Sequence, residues 1–219
     1  MADRIDAAAV RRWIAEAARL LREQRAYLTD LDAAIGDADH GVNMDRGFTA
    51  AVDRVAALPA DATPGTILRT VGQAVMSSVG GTSGPLWGMA FRRASQAAGD
   101  VPEIDGPALA GVLDAIVQAM RQLGGARVGD KTMLDALTPA AETMRARVEA
   151  GAGLAEAIAA AHEAAEAGML ATIPLQARKG RASYLGARSI GHQDPGATSA
   201  SLILRALETV VRAPDAAAD

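Results

Sequence analysis

Cysteine is absent from the 219-residue chain, which excludes both a disulfide framework and a thiolate metal site. Long apolar runs are also lacking. With no stretch of about 18 apolar residues the sequence offers no helical membrane span, and with no charged-then-apolar leader it is expected to be cytoplasmic. A basic excess is missing too: the net charge is −4, and phosphate-backbone binding normally needs clustered positive charge, so nucleic acid is disfavoured as a partner. Neither G-x-x-x-x-G-K-[ST] nor G-x-G-x-x-G occurs, which removes the two common glycine-rich nucleotide fingerprints. Aromatic residues make up only 3% and β-branched residues are sparse, whereas roughly a quarter of the chain is alanine, the best helix former. The remaining 50% hydrophobic and 22% charged content is that of a folded globular domain able to bury a core.

The apolar spacing is helical throughout, with no convincing strand. Val10, Trp13, Ile14, Ala17, Leu20, Leu21, Leu28 and Leu31 fall on one stripe of a first helix behind the N-cap Asp6. Further helices are expected from about Met44 to Leu58, from Pro64 behind the cap Thr63 to near Ser78, and from Pro85 to Ala98. Others follow from Pro107 to Gly124, Thr132 to Ala150, Leu154 to Ala171, and Ala197 to Val211. About eight helices joined mostly by short connections predict an all-α antiparallel bundle or closed barrel. The exception is residues 172–196, a long polar stretch rich in Gly, Arg and Ser, of the kind that more often carries function than merely connects.

Four islands at helix junctions carry chemistry, and alternate junctions of antiparallel helices fall at one end. In the first, Asp32, Asp37 and Asp39 precede His40 and Asn43. Carboxylate oxygens suit Mg²⁺, whereas an EF-hand starting at Asp37 fails, because Val42 stands at the glycine position and Phe48 at the glutamate position. Ser77 to Gly84 packs hydroxyls and glycines before a helix, offering N–H groups to an anion. Asp130, Lys131 and Thr132 open another helix, with Asp130 or Thr132 as its cap. Lys131 there is a cation at a helix N-terminus, unfavourable unless an anion is near. Arg178, Lys179 and Arg181 group three cations suited to clamping phosphate. His162 lies mid-helix in a structural setting, His192 lies in the long loop, and Trp13 and Trp87 are expected in the core or pocket wall. Carboxylates for Mg²⁺, N–H-rich loops and an arginine group together describe a phosphoryl-transfer site assembled from loops on a helical scaffold.

The same islands resemble the nucleotide-binding subunit of dihydroxyacetone kinase, the DhaL family. The matching runs are Leu28-Thr-x-Leu-Asp-x-x-Ile-Gly-Asp-Ala-Asp-His-Gly-x-Asn-Met, Ser77-Ser-Val-Gly-Gly, Gly129-Asp-Lys-Thr-Met, Gln176-Ala-Arg-Lys-Gly-Arg-Ala-Ser-Tyr-Leu-Gly and Arg188-Ser-Ile-Gly-His-Gln-Asp-Pro-Gly-Ala-Thr-Ser. The resemblance implies one nucleotide-binding domain over residues 1–219, with about 213–219 a frayed tail, and an eight-helix barrel that binds ADP or ATP at one rim. It implies two Mg²⁺ ions on Asp32, Asp37 and Asp39, and His40, Gly41, Val42 and Asn43 against the nucleotide. Thr82, Ser83, Gly124, Met133, Arg181, Asp194, Pro195 and Gly196 complete that pocket, Arg181 also acting catalytically. It further implies phosphoryl transfer to dihydroxyacetone held on a separate DhaK-like subunit, with ADP recharged in place by a DhaM-like phosphocarrier in the phosphotransferase-linked version. A transcription regulator and a second copy of the chain are further candidate partners. Three positions depart from the usual pattern: Thr82 stands where Ala is common, Ala187 where Glu is common, and no Pro precedes Gly129. Two alternatives remain at this point: a nucleotide subunit acting on another ketose or a fatty acid, and a nucleotide-dependent interaction module that reports to a regulator.

Overall fold

The computed structural model describes residues 3–213, so the expected tail beyond Ala213 lies outside the described residues. Nine α-helices make up most of them: α1 (Ala7–Glu23), α2 (Arg25–Ile35), α3 (His40–Ala56), α4 (Pro64–Ser78), α5 (Ser83–Ala98), α6 (Gly106–Gly124), α7 (Leu134–Glu149), α8 (Leu154–Ala171) and α9 (Pro195–Arg212). Each helix from α3 onward packs on its chain neighbour, and α1 packs on both α3 and α9. That arrangement closes an antiparallel barrel from α1 and α3–α9, with α2 laid against α3 at one end. No helix among the described residues is long and apolar enough to cross a membrane.

The helix signals read from the sequence hold at several ends. Asp6 Oδ1 accepts the Ala9 N–H at 2.7 Å, Thr63 caps α4 ahead of Pro64, Asp105 caps α6, and Gly125 ends α6 in the left-handed conformation that glycine adopts without strain. Three expectations are corrected. The first helix is two, because the chain bends at Gln24 (φ −93°, ψ 8°), where Gln24 and Arg25 also interrupt the apolar stripe between Leu21 and Leu28. The second begins at His40 rather than Met44. Two strands also form, β1 (Arg4–Asp6) and β2 (Glu103–Asp105), which pair antiparallel with Ile5 opposite Ile104. They immediately precede α1 and α6, so the ribbon sits at the barrel end opposite the 172–196 stretch, with both isoleucines buried.

The few aromatics are concentrated where they contribute most. Trp13, Phe48 and Trp87 surround Phe91 with ring centroids 6.3, 6.1 and 5.7 Å from it, within the range of favourable tilted and edge packing. Trp13 Nε1 donates to Ile203 O at 2.9 Å, so α1 is fixed to α9 from inside the core. His162, as expected, is structural: it is buried on α8 with Nδ1 2.6 Å from Glu208 Oε2 of α9.

Candidate nucleotide site at the barrel rim

Because the helices alternate in direction, the α2–α3, α4–α5, α6–α7 and α8–α9 connections all emerge at one rim. One cavity opens there, lined by Asp32, Asp37, Asp39, His40 and Asn43 on one side, Gly80–Ser83 and Gly124 on another, and Met133, Arg181 and Asp194–Gly196 on the remainder. The four islands are thus brought together.

The acidic corner is built by local constraint. Asp32 lies in the last turn of α2, where its charge opposes the helix dipole, and its Oδ2 accepts the N–H groups of Asp39 (2.9 Å) and His40 (3.2 Å). Those two bonds start α3 four residues earlier than the apolar pattern suggests. The turn between them requires Gly36, since a Cβ there would lie 2.0 Å from Asp32 Oδ1. Oxygens of Asp32, Asp37 and Asp39 all fall within 4.8 Å of one another. Three carboxylates this close repel unless a cation lies among them, and an all-oxygen donor set is the chemistry of Mg²⁺. Arg181 offsets part of that repulsion, with Nε 2.7 Å from Asp37 Oδ2.

Opposite the acids, the backbone offers donors. Helices α3, α5 and α7 begin at the rim behind Asp39, Thr82 and Met133, and none of these three makes a side-chain cap bond. The first N–H of α3 is nevertheless taken by Asp32 Oδ2 and that of α7 by Thr132 Oγ1 (3.2 Å), so α5 is the helix whose opening N–H groups, those of Ser83 and Gly84, are available to an anion. Ile35, Leu86, Met120, Ala126 and Leu134 add an apolar wall beside Met133. Sequence reading does not separate this wall from the core, because the same helical spacing produces both. Asn43 is held by Arg46, whose Nη2 donates to Asn43 Oδ1 (2.7 Å) while Nε donates to Ser78 O (2.7 Å). That contact leaves the Asn43 amide N–H₂ as its free donor end.

Not every expected residue faces the cavity. Gly41 packs on α2, where a Cβ would lie 2.1 Å from Arg25 O, so its role is close helix approach; Val42 is exposed outside the lining. Asp194 both lines the cavity and caps α9, its Oδ2 accepting the Ala197 N–H at 2.6 Å. Burial pushes its carboxyl up to about 7, with the Ala197 bond opposing and the Asp135 charge reinforcing. Burial likewise lowers the His40 imidazole, against the charges of Asp32 and Asp39; its Nε2 lies 3.0 Å from Ser199 Oγ of α9.

At the α7 entrance Thr132 Oγ1 accepts the Leu134 N–H (3.2 Å), as one of the two expected caps, but the entrance differs from expectation in the rest. Its organiser is Asp135, whose Oδ1 accepts Gly129 N–H (2.6 Å) and Oδ2 accepts Thr132 N–H (2.7 Å), while Asp130 turns back to accept Arg127 N–H. Lys131 presents no ammonium to an anion: it is buried and its Nζ donates to backbone carbonyls of the 172–196 stretch. That stretch is no plain loop, since residues 181–189 form 3-10 turns broken at Gly186 (φ 56°, ψ −129°), with Lys179 and Arg181 at the cavity and Arg178 outside it. His192 is exposed.

The chain is similar to known proteins over most of its length. The DAK2 domain family model matches residues 34–209. The "PEP-dependent dihydroxyacetone kinase, ADP-binding subunit DhaL" of Escherichia coli K12 is 44% identical over 89% of this chain and 92% of its own length. A Listeria innocua protein, "PEP-dependent dihydroxyacetone kinase 1, ADP-binding subunit DhaL", is 39% identical over 90% of this chain and 92% of its own. The crystal structure of the C. freundii dihydroxyacetone kinase with AMP-PNP and Mg²⁺ superposes with a TM-score of 0.67 at 26% identity, over 92% of this chain but 34% of that longer one. The chain belongs to the DAK2 domain family, which includes the ADP-binding DhaL subunits of dihydroxyacetone kinases.

Proposed function

We propose that this chain is the nucleotide-binding subunit of a cytoplasmic dihydroxyacetone kinase, holding ADP or ATP at the barrel rim and passing a phosphoryl group to dihydroxyacetone carried by a separate DhaK-like subunit. The observation that carries the reading is the meeting, in one cavity, of three carboxylates, the uncapped N-terminus of α5 and the Arg181 guanidinium. Asp32, Asp37 and Asp39 would hold Mg²⁺, two ions by the family resemblance. Bound Mg²⁺ supplies neutralisation of charge on the phosphate oxygens, which three carboxylates could not otherwise approach.

The remaining roles belong to the chain's own groups. The N–H groups opening α5, with the free amide of Asn43, donate to phosphate oxygens. Leu86, Met120 and Met133 offer apolar surface to the base. Arg181 is largely exposed and bonded to a carboxylate of the cluster itself, so it can exchange that partner for phosphate oxygens as charge moves between donor and acceptor. The PEP-dependent naming of the relatives favours ADP rephosphorylated in place by a DhaM-like phosphocarrier.

Calorimetry of the purified chain with ADP, in Mg²⁺ and then in EDTA, tests the metal-bridged site. Product formation from ATP and free dihydroxyacetone, with and without a DhaK-like subunit, tests the split acceptor. Undiminished ADP affinity in EDTA refutes the first, and robust turnover by the chain alone refutes the second.

A further inference from the structure

Lys131 is the most unusual side chain near the rim that the proposed function leaves unused. It is 1% exposed and sits in the left-handed region at φ +62°, a conformation a residue with a Cβ adopts only when its surroundings enforce it. Its ammonium has three N–H donors, and all three find backbone oxygens: Thr172 O at 2.8 Å, Leu175 O at 3.2 Å and His192 O in a short contact. Thr172 is the C-cap of α8, Leu175 lies in the turn that follows, and His192 stands two residues before the α9 cap Asp194. One ammonium thus gathers both roots of the 172–194 excursion. Neighbouring bonds run the same way: Arg178 N–H donates to Asp130 O (3.0 Å), Gly191 N–H to Ile173 O (2.8 Å) and Asp194 N–H to Thr172 Oγ1 (3.0 Å). The excursion pinned in this way carries Lys179 and Arg181 and leads into Asp194–Gly196.

A cation held by a cluster of backbone carbonyls is the arrangement that binds a bare monovalent ion. We propose that Lys131 is a positioning residue acting as a tethered monovalent cation, which locks the 172–194 excursion over the rim and so sets where Arg181 and Asp194 meet the nucleotide. The nucleotide part of this inference rests on the reading of the rim given above; the locking part does not. Burial lowers the tendency of this ammonium to keep its proton, and the charges of Asp194 and Asp135 oppose that effect.

The test is chemical rescue of Lys131→Ala in the full chain. Propylammonium chloride replaces both the removed methylenes and the charge, and tetramethylammonium chloride, too large for the carbonyl cluster, matches its ionic strength. Hydrogen exchange at the Arg178 and Gly191 amides should accelerate about tenfold or more in the variant, and Mg-ADP affinity should fall about tenfold, as expected for losing hydrogen bonds from a charged donor. Both losses should be largely reversed by propylammonium and unaffected by tetramethylammonium. Wild-type exchange at both amides in a folded variant overturns the proposal, as does a loss that propylammonium leaves untouched. If the variant does not fold, refolding on propylammonium addition, read by circular dichroism, supports the tethered cation, and failure to refold overturns it. Should wild-type protein bind no nucleotide, the rim reading fails while the exchange experiment still decides the role of Lys131.

Discussion

Gly36→Ala would disable the acidic corner without removing any of its ligands. A Cβ at position 36 would lie 2.0 Å from Asp32 Oδ1, 2.8 Å from its Cγ and 3.0 Å from its backbone O, so the carboxylate has to retreat by about 1.4 Å to reach ordinary contact. That movement pulls Oδ2 from the Asp39 and His40 N–H groups, now 2.9 and 3.2 Å away. Hydrogen bonds to a charged acceptor contribute about 1.5–3 kcal/mol each, and partial relaxation keeps some of both, so a loss of about 2–3 kcal/mol in urea unfolding is expected. Metal and binding sites tolerate displacements of only about 0.5 Å, so Mg-ADP affinity measured by calorimetry should fall at least about tenfold. The effect has to run through Asp32. In an Asp32→Ala background, where Oδ1 and Cγ are gone and only the 3.0 Å approach to the backbone oxygen remains, Gly36→Ala should therefore add much less, giving a strongly non-additive double-mutant cycle. Wild-type Mg-ADP affinity in a folded Gly36→Ala protein, or full additivity with Asp32→Ala, would refute the reasoning.

Asp37→Asn and Asp39→Asn remove exposed cluster charges and should abolish the Mg²⁺ dependence of ADP binding while leaving the melting temperature nearly unchanged, whereas Asp32→Asn should weaken binding and lower stability together, as read by paired calorimetry and thermal melts. Arg181→Lys keeps a charge but loses the planar fork, so partner-dependent turnover should drop by more than ADP affinity does; equal losses would assign Arg181 to ground-state binding alone. For Asp194 the folded value near 7 exceeds the ordinary 3.8. Its contribution to stability is thus full below about pH 4 and is lost as pH rises through about 7. Asp194→Asn, which keeps a capping oxygen, should melt above wild type at pH 8 and close to it at pH 4 in EDTA, and a constant difference across that range would contradict the raised value.

The helices were legible because burial in a closed barrel writes a 3.6-residue period into every wall, and because Asp6, Thr63 and Asp105 cap their helices through bonds three residues long. What local pattern misses is set at a distance. The start of α3 at His40 depends on a carboxylate eight residues back, so His40-Gly-Val-Asn has no apolar signature of its own. The three-residue strands are too short to show alternation, and Ile5 and Ile104 acquire meaning only as a pair. Lys131 looked like a cation awaiting an anion because nothing nearby in sequence predicts carbonyls 41 and 61 residues away. The site residues, by contrast, stood out as polar and glycine-rich breaks in the helical pattern. The apolar wall of Ile35, Leu86 and Met120 stayed hidden inside the pattern itself.

The distribution of helix caps separates what holds this barrel together from what it does. At the end carrying the ribbon, α1, α4 and α6 begin with a side chain bonded to the first turn, and of the helices starting there only α8, behind Gly153, does not. At the rim α9 is capped by Asp194, α3 takes a side-chain bond from Asp32 and α7 one from Thr132, while α5 begins with none. A missing cap costs about 1 kcal/mol. The omission at α5 is therefore a local sacrifice of stability placed where anion-binding donors have to stay free. The aromatic cluster in the core and the buried Ile5–Ile104 pair of the ribbon supply compensating packing. It follows that stabilising the rim by ordinary helix engineering works against binding. Thr82→Asp, for example, would bring an acidic cap to the N-terminus of α5 in direct competition with phosphate oxygens, raising the melting temperature of the free protein while weakening its affinity for ADP. A variant that gained stability and kept full ADP affinity would show that the α5 N–H groups face no phosphate.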